Sequence, residues 1–161
     1  MKYFAYGSNM SLERLHKRVP EAKNIGLLEI RSYTLKFHKK GEDGSAKCDA
    51  LYTGNDQDSV IGVVFEIPPK GKLILDDIEG PGYDVKTLEV KDDAGKLLDV
   101  FLYVANQIDN SLAPYTWYLH HVVHGALEAK LPNDYVARIK QTSSTKDTNL
   151  AREMKELSIY Q

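Results

Sequence analysis

Strand-like segments dominate the first two-thirds of the chain, and helix-like segments cluster near its end. This order constrains the fold most, because a parallel α/β sheet would require strands and helices to alternate regularly. Tyr33, Leu35 and Phe37 alternate with polar residues, and residues 60–67 are nearly all apolar, as expected for a strand covered on both faces. The pattern predicts an α+β fold. Without an internal repeat or a low-complexity linker, we expect one domain over residues 1–161.

The amino-terminal residues predict a strand, a tight turn and a helix in succession. Residues 3–6 are apolar and rich in aromatic side chains, and Gly7, Ser8 and Asn9 then break that run. Ser11 can cap the helix that follows. Such an arrangement leaves several backbone N–H groups around a small hollow, which suits an anion or a polarised carbonyl oxygen. The alternative is a tight turn that binds nothing.

The remaining segments are interpreted from periodicity and from the positions of glycine and proline. They predict a polar loop over residues 39–47, a short helix over 72–79, a hairpin over 84–90 and 97–105, and helices over 114–130 and from Pro132. Asp92-Asp93-Ala94-Gly95 is the predicted hairpin turn, and Asp147 or Thr148 is the predicted cap of a last helix.

Composition excludes several classes of function. The formal net charge is −2 and the basic residues are scattered, which gives no electrostatic argument for a nucleic acid or an anionic membrane as partner. A single cysteine excludes an intramolecular disulfide framework and a cysteine-based zinc site. No apolar stretch approaches the roughly 20 residues of a membrane span, and the first residues lack the pattern of a signal peptide. We therefore expect a cytoplasmic protein.

Glu79 is the carboxylate that we single out for chemistry. It ends the predicted short helix and is followed by Gly80, Pro81 and Gly82. The negative end of the helix dipole and the nearby Asp76 both disfavour its charge, and burial would raise its pKa in the same direction. A raised pKa suits proton transfer near neutral pH. The alternative is a solvated acid at the end of a helix.

Three histidines on one predicted helix raise the question of a metal site. His120 and His124 lie one turn apart, but the zinc-protease pattern requires glutamate where His121 stands, and no third ligand is evident. We therefore expect no metal. The histidines are predicted to lie on the outer face of the helix, with Tyr118 and Val122 turned inward.

Taken together, these segments resemble the γ-glutamylcyclotransferase family. Residues 3–10 are similar to its amino-terminal Y-G-S-N signature and the preceding strand. Residues 60–65 are similar to its central G-V-V strand, and residues 75–80 look like its L-D-x-x-E-G segment, whose glutamate is the catalytic acid/base. Residues 118–126 and 131–135 resemble the helix with a substrate-contacting tyrosine and the L-P-x-x-Y element after it.

The resemblance implies a small mixed β-barrel with surrounding helices and a reaction that needs neither a metal nor an organic cofactor. It makes Glu79 the catalytic acid/base for converting a γ-glutamyl-amino acid, a small-molecule substrate, to 5-oxoproline and a free amino acid. A homodimer is plausible from the resemblance only. The substrate-binding residues that it implies are Tyr3, Phe4, Ala5, Tyr6, Gly7, Ser8, Asn9, Tyr83 and Tyr118.

Two other functions stay open from the sequence. The first is a cyclotransferase that removes a γ-glutamyl group from an amine or a biosynthetic intermediate, although that amine branch usually shows Y-G-T-L instead of Y-G-S-N. The second is a non-catalytic module that binds γ-glutamyl metabolites, against which the glutamate argues. The short Gly80-Pro81-Gly82 link departs from larger family members, and it leaves the preferred side chain of the substrate open.

Overall fold

The computed structural model describes residues 1–92 and 94–161, so Asp93 of the predicted hairpin turn lies outside the described residues. The strands are β1 (Lys2–Ala5), β2 (Lys23–Arg31), β3 (Tyr33–Lys40), β4 (Ala46–Tyr52), β5 (Ser59–Glu66), β6 (Tyr83–Lys91) and β7 (Leu97–Ala105). The helices are α1 (Leu12–Arg18), α2 (Pro69–Glu79), α3 (Thr116–Glu128), α4 (Asn133–Lys140) and α5 (Leu150–Leu157). Within the described ranges, no helix combines the length and apolar character needed to cross a membrane.

The short strand β1 lies at the centre of a five-stranded mixed sheet with the order β2-β5-β1-β7-β6. It runs antiparallel to β5, with Tyr3 opposite Phe65, and parallel to β7, with Tyr3 opposite Phe101. Phe4 and Ala5 are fully buried, as a strand covered on both faces requires. The turn that follows β1 therefore begins at the central strand of the sheet.

The predicted α+β class is confirmed, but the expected small mixed β-barrel is not. β2 and β6 end the five-stranded sheet, and β3 and β4 form a separate two-stranded sheet. Side chains join the two sheets where a barrel would need a backbone ladder. The Asp49 carboxylate accepts a hydrogen bond from the backbone N–H of Ala105 at 2.8 Å, and the Tyr83 hydroxyl donates to the carbonyl of Cys48 at 2.6 Å.

The predicted polar loop over residues 39–47 is shorter in the structure. β3 continues to Lys40 and β4 begins at Ala46. A β-bulge between Phe37 and Lys39 interrupts the register, and both His38 and Lys39 are buried there. A bulge breaks the regular alternation of a strand and re-aims its side chains, so two consecutive polar residues can be buried.

The capping prediction is confirmed for the first helix and wrong for the last. The Ser11 side chain accepts from the backbone N–H of Arg14 at 3.4 Å, as the sequence predicts. Asn149, rather than Asp147 or Thr148, caps α5 by accepting from the N–H of Arg152 at 2.9 Å. The Asp147 carboxylate binds the Arg152 guanidinium instead, at 2.6 and 2.7 Å.

The prediction that all three histidines face outward is wrong for His121, which is fully buried on α3. The carboxyl-terminal segment covers it, with the Tyr160 hydroxyl 2.6 Å from Nδ1 and a Glu156 carboxylate oxygen 3.0 Å from Nε2. Burial lowers the pKa of His121 to about 4, so the ring is neutral at neutral pH.

Candidate functional site

Two adjoining hollows lie beside the turn that follows β1. The first, called the outer pocket here, has a volume of about 370 Å³. The second, called the inner recess, has a volume of about 30 Å³. Both hollows are lined by Ser8, Glu79, Tyr83 and Tyr118. A ligand in the outer pocket could therefore extend one end into the recess and be met there by all four residues.

The turn packs so closely that only glycine fits at position 7. A Cβ atom on Gly7 would lie 2.9 Å from the Cβ of Cys48 and 3.2 Å from its Sγ. The 3₁₀ turn Ser8–Met10 follows at once. Among the described residues, no acceptor is found for the backbone N–H groups of Gly7, Ser8 or Asn9. These donors are available to an oxygen of a ligand in the inner recess.

Glu79 is the last residue of α2, and only one of its two carboxylate oxygens contacts other side chains in the described ranges. Oε1 accepts a hydrogen bond from the Asn9 side-chain amide at 3.1 Å and lies 3.6 Å from Nη1 of Arg18. The Glu79 side chain is 17% exposed. Its Oε2 makes no hydrogen bond with any residue that the structure describes. One oxygen is thus anchored, and the other is available to a ligand.

Burial raises the pKa of Glu79, as the sequence predicts, while the positive charges of Arg18, Arg14 and Lys39 and the Asn9 hydrogen bond oppose that rise. We expected the charge of Asp76 to raise the pKa of Glu79 as well, but Asp76 is not among the main groups that shift it. The Asp76 carboxylate accepts from the Lys72 ammonium and from the Tyr103 hydroxyl, both at 2.7 Å, and these donors stabilise its charge locally.

Two tyrosine hydroxyls meet at the backbone of Cys48 beside the inner recess. The Tyr118 hydroxyl accepts from the N–H of Cys48 at 3.0 Å, and the Tyr83 hydroxyl donates to its carbonyl at 2.6 Å. Tyr6 donates to the carbonyl of Tyr103, which makes its role structural. Burial raises the pKa of Tyr6, Tyr83 and Tyr118 well above the ordinary value, so all three hydroxyls stay protonated.

The structure brings most of the predicted site residues together. The members that line the inner recess are Tyr3, Tyr6, Gly7, Ser8, Asn9, Glu79, Tyr83 and Tyr118. Phe4 and Ala5 line neither hollow, because both are fully buried within β1. Their position supports the turn by holding β1 in the sheet rather than by facing a ligand.

Five basic residues of the outer pocket were missed from the sequence: Arg14, Arg18, Lys39, Lys40 and Lys47. A signal existed for the arginines, since they lie four residues apart on α1 and share one face of that helix. Arg18 donates to the Asn9 side-chain oxygen at 2.8 Å and so links α1 to the turn. Lys39 had no comparable signal, because the bulge in β3 determines where its side chain points.

The chain is similar to known proteins over most of its length. A profile of the AIG2-like family matches residues 59–139, about half of the chain. Gamma-glutamylcyclotransferase of Homo sapiens is 29% identical over 144 residues, which cover 86% of this chain and 76% of that protein. The putative gamma-glutamylcyclotransferase YkqA of Bacillus subtilis is 27% identical over 86% of this chain and 50% of its own length.

Solved structures share the fold. A gamma-glutamyl cyclotransferase structure matches with a TM-score of 0.81 over 92% of this chain and 91% of that chain, at 24% identity. The crystal structure of an uncharacterized human protein matches with a TM-score of 0.85 over 99% and 98% of the two chains, at 26% identity. The solved structures show the shared fold, and the family profile with the relatives above shows that the chain belongs to the AIG2-like, or γ-glutamylcyclotransferase, family.

Proposed function

We propose that this protein is a γ-glutamylcyclotransferase that converts γ-glutamyl-amino acids into 5-oxoproline and a free amino acid. The observation that carries the proposal is the Glu79 carboxylate, which is anchored through Oε1 and available through Oε2 where the outer pocket adjoins the inner recess. The relatives named gamma-glutamylcyclotransferase support the same reaction class.

The reaction is an intramolecular transfer of an acyl group. The α-amine of the glutamyl unit attacks its own γ-carbonyl carbon, and a new C–N bond closes a five-membered lactam. The bond from that carbon to the nitrogen of the departing amino acid then breaks. The proton lost by the attacking nitrogen balances the proton gained by the departing nitrogen, so no water is consumed.

Glu79 supplies the proton transfer in this scheme. Its ionised carboxylate accepts a proton from the attacking amine through Oε2 and returns one to the leaving nitrogen. The raised pKa makes Glu79 a stronger base than an exposed glutamate, which suits the first half of that cycle. Asn9 and Arg18 hold Oε1, so the carboxylate keeps its direction while the substrate reacts.

The turn and the tyrosines supply positioning and charge stabilisation. The N–H groups of Gly7, Ser8 and Asn9 are fixed before the substrate arrives, and removal of one such donor in other enzymes costs about 10²- to 10³-fold in rate. Tyr83 and Tyr118 border both hollows and orient the folded glutamyl chain. Holding the amine against the carbonyl offsets much of the entropy cost of ring closure.

A substrate panel tests the proposal. Purified protein is mixed separately with γ-glutamyl-alanine, γ-glutamyl-glutamine, glutathione and γ-glutamyl-ε-lysine, and 5-oxoproline is quantified by mass spectrometry. We expect release from the γ-glutamyl-amino acids. Release from the lysine adduct alone would move the protein to the γ-glutamylamine branch. No release from any of the four, with a raised melting temperature in their presence, would replace catalysis by metabolite binding.

A further inference from the structure

Lys39 is a buried lysine of the outer pocket, with 7% of the residue exposed. Its ammonium makes no hydrogen bond or ion pair with any residue in the described ranges. The other largely buried basic groups of the pocket are engaged: Arg14 with Glu156, Lys47 with Asp43, and Arg18 with Glu79. Lys39 therefore carries a partly desolvated charge that has no carboxylate within ion-pair distance among the described residues.

The fold holds this ammonium in place from two sides. Its Nζ lies 4.6 Å from the centroid of the Tyr83 ring, which is a cation–π contact. Gly82 leaves the space that the lysine occupies, because a Cβ there would lie 2.7 Å from Cε and 2.8 Å from Nζ of Lys39. Burial lowers the pKa of Lys39, while the negative charges of Glu79, Glu42 and Asp43 oppose that shift without forming an ion pair with it. A substrate carboxylate in direct contact with the ammonium would offset the cost of its burial further.

The position of Lys39 shows which part of a substrate it can meet. The turn lines the inner recess, and Ser8, Glu79, Tyr83 and Tyr118 border both hollows, so the proposed mechanism places the reacting γ-carbonyl where the two hollows meet. Lys39 lines the outer pocket and does not line the recess. The amino acid attached to the γ-carbonyl is the part that extends outward, and its free carboxylate is the anion that comes within reach of Lys39.

We propose that Lys39 binds the carboxylate of the departing amino acid and thereby selects γ-glutamyl-amino acids over neutral γ-glutamylamides. This inference rests on the proposed function, since it places the reacting γ-carbonyl beside Glu79 where the two hollows meet. A hydrogen bond between an ammonium and a carboxylate in a partly buried site corresponds to a preference of roughly 10- to 100-fold.

The test compares two substrates that differ in one charge, γ-glutamyl-alanine and γ-glutamyl-alaninamide. For the wild-type protein we expect kcat/KM to be about 10- to 100-fold higher for the carboxylate substrate. In Lys39→Met this preference falls to within about 3-fold, mainly through a higher KM for γ-glutamyl-alanine. The ratio between substrates is the readout because Lys39 also acts on the pKa of Glu79, and that effect applies to both substrates.

Two further variants sharpen the comparison. Lys36→Met removes an exposed lysine of the same strand and leaves the ratio unchanged. Gly82→Ala keeps the charge of Lys39 but displaces its ammonium, so it lowers the ratio without removing a cation. Equal losses on both substrates in Lys39→Met, or an unchanged ratio in both Lys39→Met and Gly82→Ala, would overturn the assignment.

Calorimetric binding of the same two compounds separates this inference from the proposed function. Wild-type protein could form no 5-oxoproline and still bind γ-glutamyl-alanine more tightly than the alaninamide, with that difference lost in Lys39→Met. This result would support the carboxylate site at Lys39 and contradict the proposed catalysis. If neither compound is bound or turned over, both proposals are wrong. Turnover of both compounds at similar kcat/KM by the wild-type protein removes the role of Lys39 alone.

Discussion

Arg18 lies 3.6 Å from the Glu79 carboxylate and opposes the rise in pKa that burial causes there. The two effects set the pH at which Glu79 becomes a base. Because burial is the larger effect, the pKa of Glu79 lies above its ordinary value of 4.5. Ionised Glu79 is the active form, so activity is present above that pKa and is lost as the pH falls through it.

Removing the charge of Arg18 shifts the acidic limb of the pH profile. In Arg18→Gln the ionised form of Glu79 loses a favourable neighbour, so its pKa rises and the acidic limb of kcat/KM moves to higher pH. The measurement is kcat/KM for γ-glutamyl-alanine across the pH range in the variant and wild type. Arg31→Gln, which removes an exposed arginine, is the matched control and leaves the limb in place. A limb that stays put or moves to lower pH in Arg18→Gln contradicts this account.

Residues that line the candidate site could be predicted where a local motif specifies them. Glu79 and Tyr118 belong to such motifs, and the structure places both at the pocket. The identity of a motif does not say which of its side chains point at a ligand. Phe4 and Ala5 share the motif of the turn yet lie in the core, because alternation and burial in β1 depend on the strands on either side.

Helix α3 packs directly on the segment that carries the turn. A Cβ on Gly125 would lie 2.3 Å from the backbone N of Ser11 and 2.6 Å from the carbonyl carbon of Met10. Both atoms belong to the backbone, so they cannot rotate away. This close approach fixes the turn and the start of α1 against the helix that carries Tyr118.

Gly125→Ala tests that packing. Alanine favours a helix by about 1 kcal/mol over glycine, but overpacking a close contact costs about 1–3 kcal/mol, and displacement of a backbone falls at the upper end. We therefore expect a lower melting temperature and a loss of turnover, since the turn has to move. Thermal melts and the 5-oxoproline assay measure both effects. Leu127→Ala, at an exposed site of α3, changes neither by much. A Gly125→Ala protein as stable and active as wild type would contradict the packing argument.

Most elements could be predicted from periodicity and capping, and the errors fall where distant residues decide the local structure. The end of β3 was placed too early because Lys39 and Lys40 look like loop residues, whereas the buried pair of His38 and Asp49 keeps that segment in the sheet. The cap of α5 was misplaced because Asp147 suits a cap by type. Its carboxylate is drawn instead to Arg152 and to the indole N–H of Trp117 at 2.8 Å.

Across the whole molecule, the carboxyl-terminal segment is tied to the site through two buried clusters. Asp147 joins α5 to α3 through Arg152 and Trp117. Glu156 and Tyr160 contact the buried His121, and Glu156 also pairs with Arg14 of the outer pocket. Helix α5 therefore supports the outer pocket through the Glu156–Arg14 ion pair, although its own residues do not line the pocket.

The contribution of Asp147 to stability depends on pH. Its partners hold the pKa of this carboxyl well below its ordinary value of 3.8, so its stabilisation is full above that value and is lost as the pH falls towards the folded-state pKa. Asp147→Asn is therefore less stable than wild type at neutral pH, and the difference narrows below about pH 4. Denaturant unfolding followed by the single tryptophan measures it. Asp99→Asn, at an exposed site, serves as control. A difference that stays constant with pH would contradict the role of the charge.

The α+β class could be predicted from the order of the elements, but the absence of barrel closure within the described residues could not. Closure depends on whether strands far apart in the sequence form a backbone ladder. Here the side chains of Asp49 and Tyr83 bridge β4 to β6 and β7 instead. The alternation of apolar and polar residues in those strands is the same whether neighbouring strands pair through backbone hydrogen bonds or are joined by side chains.

The most direct test of the central claim is 5-oxoproline formation from γ-glutamyl-alanine by Glu79→Gln. The amide keeps the shape of the side chain and an oxygen for Asn9, but it cannot accept the proton of the attacking amine. We expect a loss of about 10²- to 10⁴-fold or more in kcat, with the substrate still bound. A thermal melt checks the fold of the variant, because the amide removes both a charge that burial disfavours and the carboxylate partner of Arg18. A well-folded Glu79→Gln protein that forms 5-oxoproline at the wild-type rate would remove Glu79 from catalysis and contradict the account.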